Sequence, residues 1–95
     1  MQTIEEGKAE AFIYPGETTK KLTVFYNPEM QEHRNLTISI LNSYFPDNFL
    51  ALDALAGSGI RGIRIIKETK GNVVFNDVTT DAFNLIKKNL ELNNI

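Results

Sequence analysis

Ninety-five residues, 42% of them apolar and only three proline, suffice for one small core and no more. A formal net charge of -2 gives no general attraction to nucleic acid or an anionic membrane, although a local basic patch remains compatible with it. With no cysteine and one histidine the chain has no disulfide framework or thiolate metal site, and the start MQTIEEGKAEAFIY lacks the positive end and apolar run of a signal peptide, so a soluble cytoplasmic protein without a metal is expected.

Residues 7–14 alternate, with Ala9, Ala11 and Ile13 on one face and Lys8, Glu10 and Phe12 on the other. Pro15-Gly16 then supplies a turn from which residues 21–26 can return, which predicts a hairpin across that turn. Asn27 can cap a helix, Pro28 fits its first position, and Glu29 falls in its first turn. Met30, Arg34, Thr37, Ile38, Leu41 and Phe45 follow at helical spacing until Pro46-Asp47-Asn48 stops the run. Residues 49–52 read as a strand buried on both faces and ending at Asp53. Beyond the glycine-rich stretch, Ile60, Ile63 and Ile66 mark a helix closed by Lys70-Gly71. Residues 73–75 form a second buried strand ending at Asn76-Asp77, and Thr79-Thr80-Asp81 caps a helix bearing Ala82, Leu85, Ile86, Asn89 and Leu90.

The order strand, helix, strand, helix implies an α/β fold with parallel strands joined by a right-handed crossover. Two such strands cannot complete a sheet covered on both faces. The expectation is therefore an extension over residues 1–48, a hairpin and a helix, followed over residues 49–95 by the first two β-α units of a larger domain that further chain or a partner must complete.

LDALAGSGIRG places Gly57, Gly59 and Gly62 in the order G-x-G-x-x-G between a strand and a helix. There backbone can approach a ligand beside the positive end of a helix dipole, although a tight turn alone would account for the glycines. Asp77 ends the next strand at the position where a carboxylate accepts hydrogen bonds from ribose hydroxyls, a turn role being the alternative. Asp53 at the first strand tip would repel a dinucleotide's pyrophosphate but suits the ammonium of a methionine moiety. The pattern LALDALAGSGIRG resembles motif I of class I methyltransferases, which points to S-adenosyl-L-methionine over a nicotinamide dinucleotide. Arg61 can reach the cofactor's carboxylate or a target phosphate, with a surface salt bridge as the other reading. Arg64 reads as a solvated charge, His33 as a surface residue, and Lys87-Lys88 as a solvated helix face.

The segments EGKA, FYNPEMQEHRNL, LDALAGSGIRGIR and NDVTTDAFNLIKKNLELN, in that order, resemble the start of the tRNA guanine-N2 dimethyltransferases, archaeal members above all. The resemblance implies a class I Rossmann-like domain, a C-terminal domain, and transfer of methyl groups from S-adenosylmethionine to the exocyclic N2 of guanosine-26 in tRNA. It further implies that Arg34, Arg61 and Asp77 are cofactor ligands, Asp77 for the ribose and the arginines for the methionine carboxylate or the loop, and that Phe25 lines the pocket for the extruded base. A core role is the alternative for Phe25 and Tyr26. The family's Asp-Pro-Phe-Gly type catalytic motif is missing from these residues, so the chain alone is expected to be inactive, without a catalytic residue of its own. The competing expectations are another class I RNA or protein methyltransferase, a non-catalytic RNA- or subunit-docking module, and a dinucleotide oxidoreductase.

Overall fold

Residues 1–16 and 22–95 are described by the computed structural model. The chain opens with an antiparallel hairpin of β1 (Gln2–Glu6) and β2 (Ala9–Ile13). Ala9, Ala11 and Ile13 are buried as their alternation predicts, but β2 pairs with the segment before it, residues 2–6. Glu6 pairs with Ala9 across a two-residue turn in which Gly7 adopts a left-handed φ of 56°. So short a loop costs less closure entropy than a return beyond Pro15-Gly16. Lys21, the start of the expected return strand, lies outside the described residues, and 22–26 forms no strand.

The expected cap is present. Asn27 accepts the Glu29 N–H at 3.0 Å, Pro28 begins a short 3-10 turn (Pro28–Met30), and α1 (Gln31–Tyr44) continues from it. Phe45 leaves the helix in an extended conformation, as a residue before proline tends to. Only Arg34 and Ile38 of α1 are buried.

β3 (Leu50–Asp53) and β4 (Asn72–Phe75) are parallel, paired from Leu50 with Asn72 to Asp53 with Phe75, and α2 (Ile60–Glu68) connects them. Gly62 lets α2 lie directly on the ring of Phe75, which a Cβ there would strike. The expectation that both strands are buried on two faces is not met. Ala51, Val73 and Phe75 are partly covered, while Leu50 and Leu52 on the other face are 72% and 66% exposed. Among the described residues no element covers that second face.

α3 (Thr80–Leu92) closes the chain, its N-cap Thr79 accepting the Ala82 N–H at 3.1 Å. The main core lies between the hairpin and α2, where Ala9, Ala11, Ile13, Tyr26 and Ile60 surround the fully buried Ile63. A second cluster joins Val24 to Ala82 and Leu85 of α3. The hairpin is thus packed through β2 on α2 and α3, and α2 in turn packs on β4.

Candidate functional site

The tips of β3 and β4 open onto a cleft of about 340 Å³ lined by Phe25, Arg34, Asp53, Gly57, Arg61 and Asp77. Gly59, grouped with these from the sequence, lies beneath the cleft as the N-cap of α2, its φ of 84° held against Ile63 and Ile86. Gly57 has a φ of 56°, and a Cβ there would meet the Phe25 carbonyl oxygen at 3.1 Å, so glycine is required on both counts.

The loop satisfies itself. Gly57 N–H donates to Asp77 Oδ2 at 3.0 Å, Gly59 N–H to the Ala56 carbonyl at 2.8 Å, and Gly62 N–H to Asp53 Oδ2 at 3.1 Å. Ile60 N–H points to Ser58 Oγ at a longer 3.4 Å. Because the N-cap Gly59 has no side chain to accept from α2, Asp53 supplies that acceptor from the neighbouring strand. Partial burial pushes the Asp53 carboxyl above its ordinary range; the Gly62 N–H and the Arg61 charge oppose that rise, and Asp77 adds to it.

Asp77 behaves in the opposite way. Burial would raise it, but the N–H groups of Gly57 and Thr79 prevail and hold it below the ordinary range. Its Oδ1 accepts the Thr79 N–H at 3.1 Å and Thr79 Oγ1 at 3.3 Å, which leaves acceptor capacity on Oδ2 toward the cleft.

Arg61 reaches across to α1, where Nη1 donates to Thr37 Oγ1, and it forms no ion pair among the described residues. Phe25 is 51% exposed at the cleft, so it is not a core residue, whereas Tyr26 beside it is buried. Arg34 donates from Nε and Nη2 to Glu6 at 2.8 and 2.7 Å and from Nη2 to the Asn27 carbonyl at 3.1 Å, with its guanidinium 5.0 Å from the centre of the Tyr26 ring.

Glu6 is the residue sequence reasoning missed. Its carboxylate is shared by Arg34, by Arg64 Nη1 at 3.0 Å and by the Tyr26 hydroxyl at 3.2 Å, all buried. Burial alone would raise Glu6, yet the two arginines keep it below the ordinary range. Arg64 is accordingly not a solvated charge. It is 4% exposed, and it also holds Glu68 at 2.7 Å and Asn35 at 2.7 Å. Spacing gave no sign of this cluster, since Glu6 lies 28 and 58 positions from its arginines.

Strand, glycine loop, helix, strand and terminal acid, arranged around a cleft at the strand tips, define a Rossmann-like domain of the kind that binds a nucleoside cofactor. Residues 2–95 match the family of N2,N2-dimethylguanosine tRNA methyltransferases. The chain belongs to that family. It is 42% identical to a tRNA (guanine(26)-N(2))-dimethyltransferase of Methanococcus maripaludis over 100% of this chain and 28% of that protein. It is 38% identical to the enzyme of the same name from Pyrobaculum islandicum over 96% of this chain and 27% of that protein. The structure of Trm1 from Pyrococcus horikoshii with S-adenosyl-L-methionine superimposes with a TM-score of 0.86 at 39% identity, covering 98% of this chain and 24% of that one. The fold is the N-terminal part of a class I Rossmann-like methyltransferase domain preceded by a hairpin and a helix. The chain spans about a quarter of the length of these relatives.

Proposed function

We propose that the protein carrying this chain is a cytoplasmic methyltransferase that uses S-adenosyl-L-methionine to methylate the exocyclic N2 of guanine 26 in tRNA. In this reading residues 1–48 are an extension and 49–95 the first two β-α units of the catalytic domain, to be completed by further chain and a C-terminal domain. The 95 residues alone are inactive. Among the described residues no helix is long and apolar enough to cross a membrane.

The observation that carries the reading is the engagement of the loop. The N–H groups of Gly57, Gly59 and Gly62 are spent on the chain's own oxygens, two of them carboxylate oxygens. A dinucleotide needs such groups for its pyrophosphate and would meet Asp53 where the phosphates should lie. A sulfonium cofactor carries no phosphate, and its ammonium and ribose suit the two carboxylates. Asp77 would accept the ribose hydroxyls, Asp53 would face the ammonium, and Arg34, with Arg61, would meet the methionine carboxylate. Phe25 would stack on the extruded guanine. When bound, the cofactor supplies the methyl group; these residues bind and orient.

Calorimetric titration of the complete protein with S-adenosylhomocysteine and with NAD tests the cofactor, and methylation of tRNA transcripts with and without guanine 26 tests the target. Expected are binding of the homocysteine ligand alone, its loss in Asp77→Ala, and no methylation once guanine 26 is replaced. Binding of NAD would end the cofactor reading, and unchanged methylation of the replaced transcript would end the target reading.

A further inference from the structure

α3 and its C-cap carry two asparagines one turn apart, Asn89 and Asn93, that face the edge of β2. Asn89, wholly buried, accepts the Phe12 N–H on Oδ1 at 2.6 Å and donates from Nδ2 to the Phe12 carbonyl at 3.1 Å. Asn93 does the same at Glu10, accepting at 3.0 Å and donating at 2.7 Å. The two amides thus serve the outer edge of β2 as a neighbouring strand would, which leaves no ladder group there unpaired.

Each amide has one more donor, and here the two part. Asn93 spends its second bond on the last turn of α3, at the Asn89 carbonyl 2.7 Å away. Asn89 instead reaches the Ser58 carbonyl, in the middle of the glycine loop, at 2.7 Å. That carbonyl belongs to the same planar peptide as the Gly59 N–H, which donates to Ala56 at 2.8 Å. The peptide is pinned at both ends, and rotating it would break both bonds inside a site where Ser58 is only 2% exposed. Ser58 lines the cleft next to Gly57, whose N–H is held by Asp77.

We propose that Asn89 is a positioning residue of the cofactor loop: by fixing the Ser58–Gly59 peptide from the edge of β2, it presets the floor of the cleft before ligand arrives. The inference rests on the reading of that cleft as an S-adenosylmethionine site. A loop that must first be ordered lowers the apparent affinity by the fraction of time it is disordered. Asn93 touches the same strand and no part of the loop, so it is a matched control.

The experiment compares Asn89→Leu with Asn93→Leu in the complete natural protein, measuring the melting temperature, the dissociation constant of S-adenosylhomocysteine, and the steady-state constants for methylation. Both variants should melt lower. Asn89→Leu should weaken ligand binding roughly tenfold, as the loss of one buried bond implies. Its KM for S-adenosylmethionine should rise in step while kcat at saturation holds, and Asn93→Leu should stay within about twofold of wild type on both constants. If Asn89→Leu does not fold, Asn89→Ser, whose hydroxyl is too short to reach Ser58, is measured with the same expectation. Equal weakening by the two positions, or none at Asn89, overturns the assignment while the cofactor reading stands. Wild-type protein that fails to bind S-adenosylhomocysteine overturns the cofactor reading and this assignment with it.

Discussion

Replacing Glu6 by glutamine removes one carboxylate from beneath two buried arginines. Arg64 keeps Glu68, bonded at 2.7 and 3.1 Å, but Arg34 loses its carboxylate partner and is left with neutral acceptors, the Asn27 carbonyl and the new amide oxygen, and with Tyr26. Stranding one partner of a buried ion pair costs about 3–5 kcal/mol, and because Arg34 borders the cleft, where water can reach it, the lower end applies. A domain of this size is stable by roughly 5–14 kcal/mol, so Glu6→Gln should consume a large part of the margin while leaving a folded protein. Acid provides the sharper test. Glu6 titrates below its ordinary 4.5 in the folded chain, so the unfolded chain takes up that proton first as pH falls. The stability contributed by the carboxylate is complete above about pH 4.5 and is lost as pH drops through the lowered folded value. The other acids are common to both proteins and cancel in the comparison. Urea denaturation followed by circular dichroism at a series of pH values should therefore show a gap of about 3 kcal/mol near neutrality that narrows below about pH 4.5. A gap under about 1 kcal/mol, or one that holds constant or widens on acidification, would refute the account of this cluster.

Gly62→Ala should destabilise by about 1–3 kcal/mol, because the new methyl group enters the space of the Phe75 ring; an unchanged melting temperature would contradict that packing. Asp53→Asn should change stability by less than about 1 kcal/mol, since the amide oxygen can still accept the Gly62 N–H and the burial that raises the carboxyl no longer opposes folding. The same variant should weaken S-adenosylhomocysteine binding in titration, and full affinity would remove Asp53 from the site. Thr79→Ala should cost about 1 kcal/mol through the lost cap of α3, read from chemical denaturation, with no loss meaning that the Ala82 N–H finds another acceptor.

Local signals carried far in this chain. Asn27 and Thr79 cap where their side chains predict, Pro46 ends α1 and the alternation of Ala9, Ala11 and Ile13 marks a buried strand face, because each depends on chemistry within a few residues. The glycine spacing and Asp77 likewise located the cleft, since a strand tip and the next strand tip are brought together by one short crossover. Partners were less legible. β2 found β1 and not residues 22–26, a choice between two turns that alternation alone does not rank. Asn89 read only as one more position on a helical stripe, although its amide spans from β2 to the glycine loop.

By itself, then, the sequence determined the order of elements from α1 onward, the end of the sheet at which the cleft opens and the family, all of which follow from local signals and motif spacing along the chain. Tertiary structure alone decided the protonation and burial of the charges. Glu6, Arg34 and Arg64 have no local pattern that marks them as buried, and they become so only because the hairpin turn folds against α1 and α2, where each charge supplies what the others need to leave water.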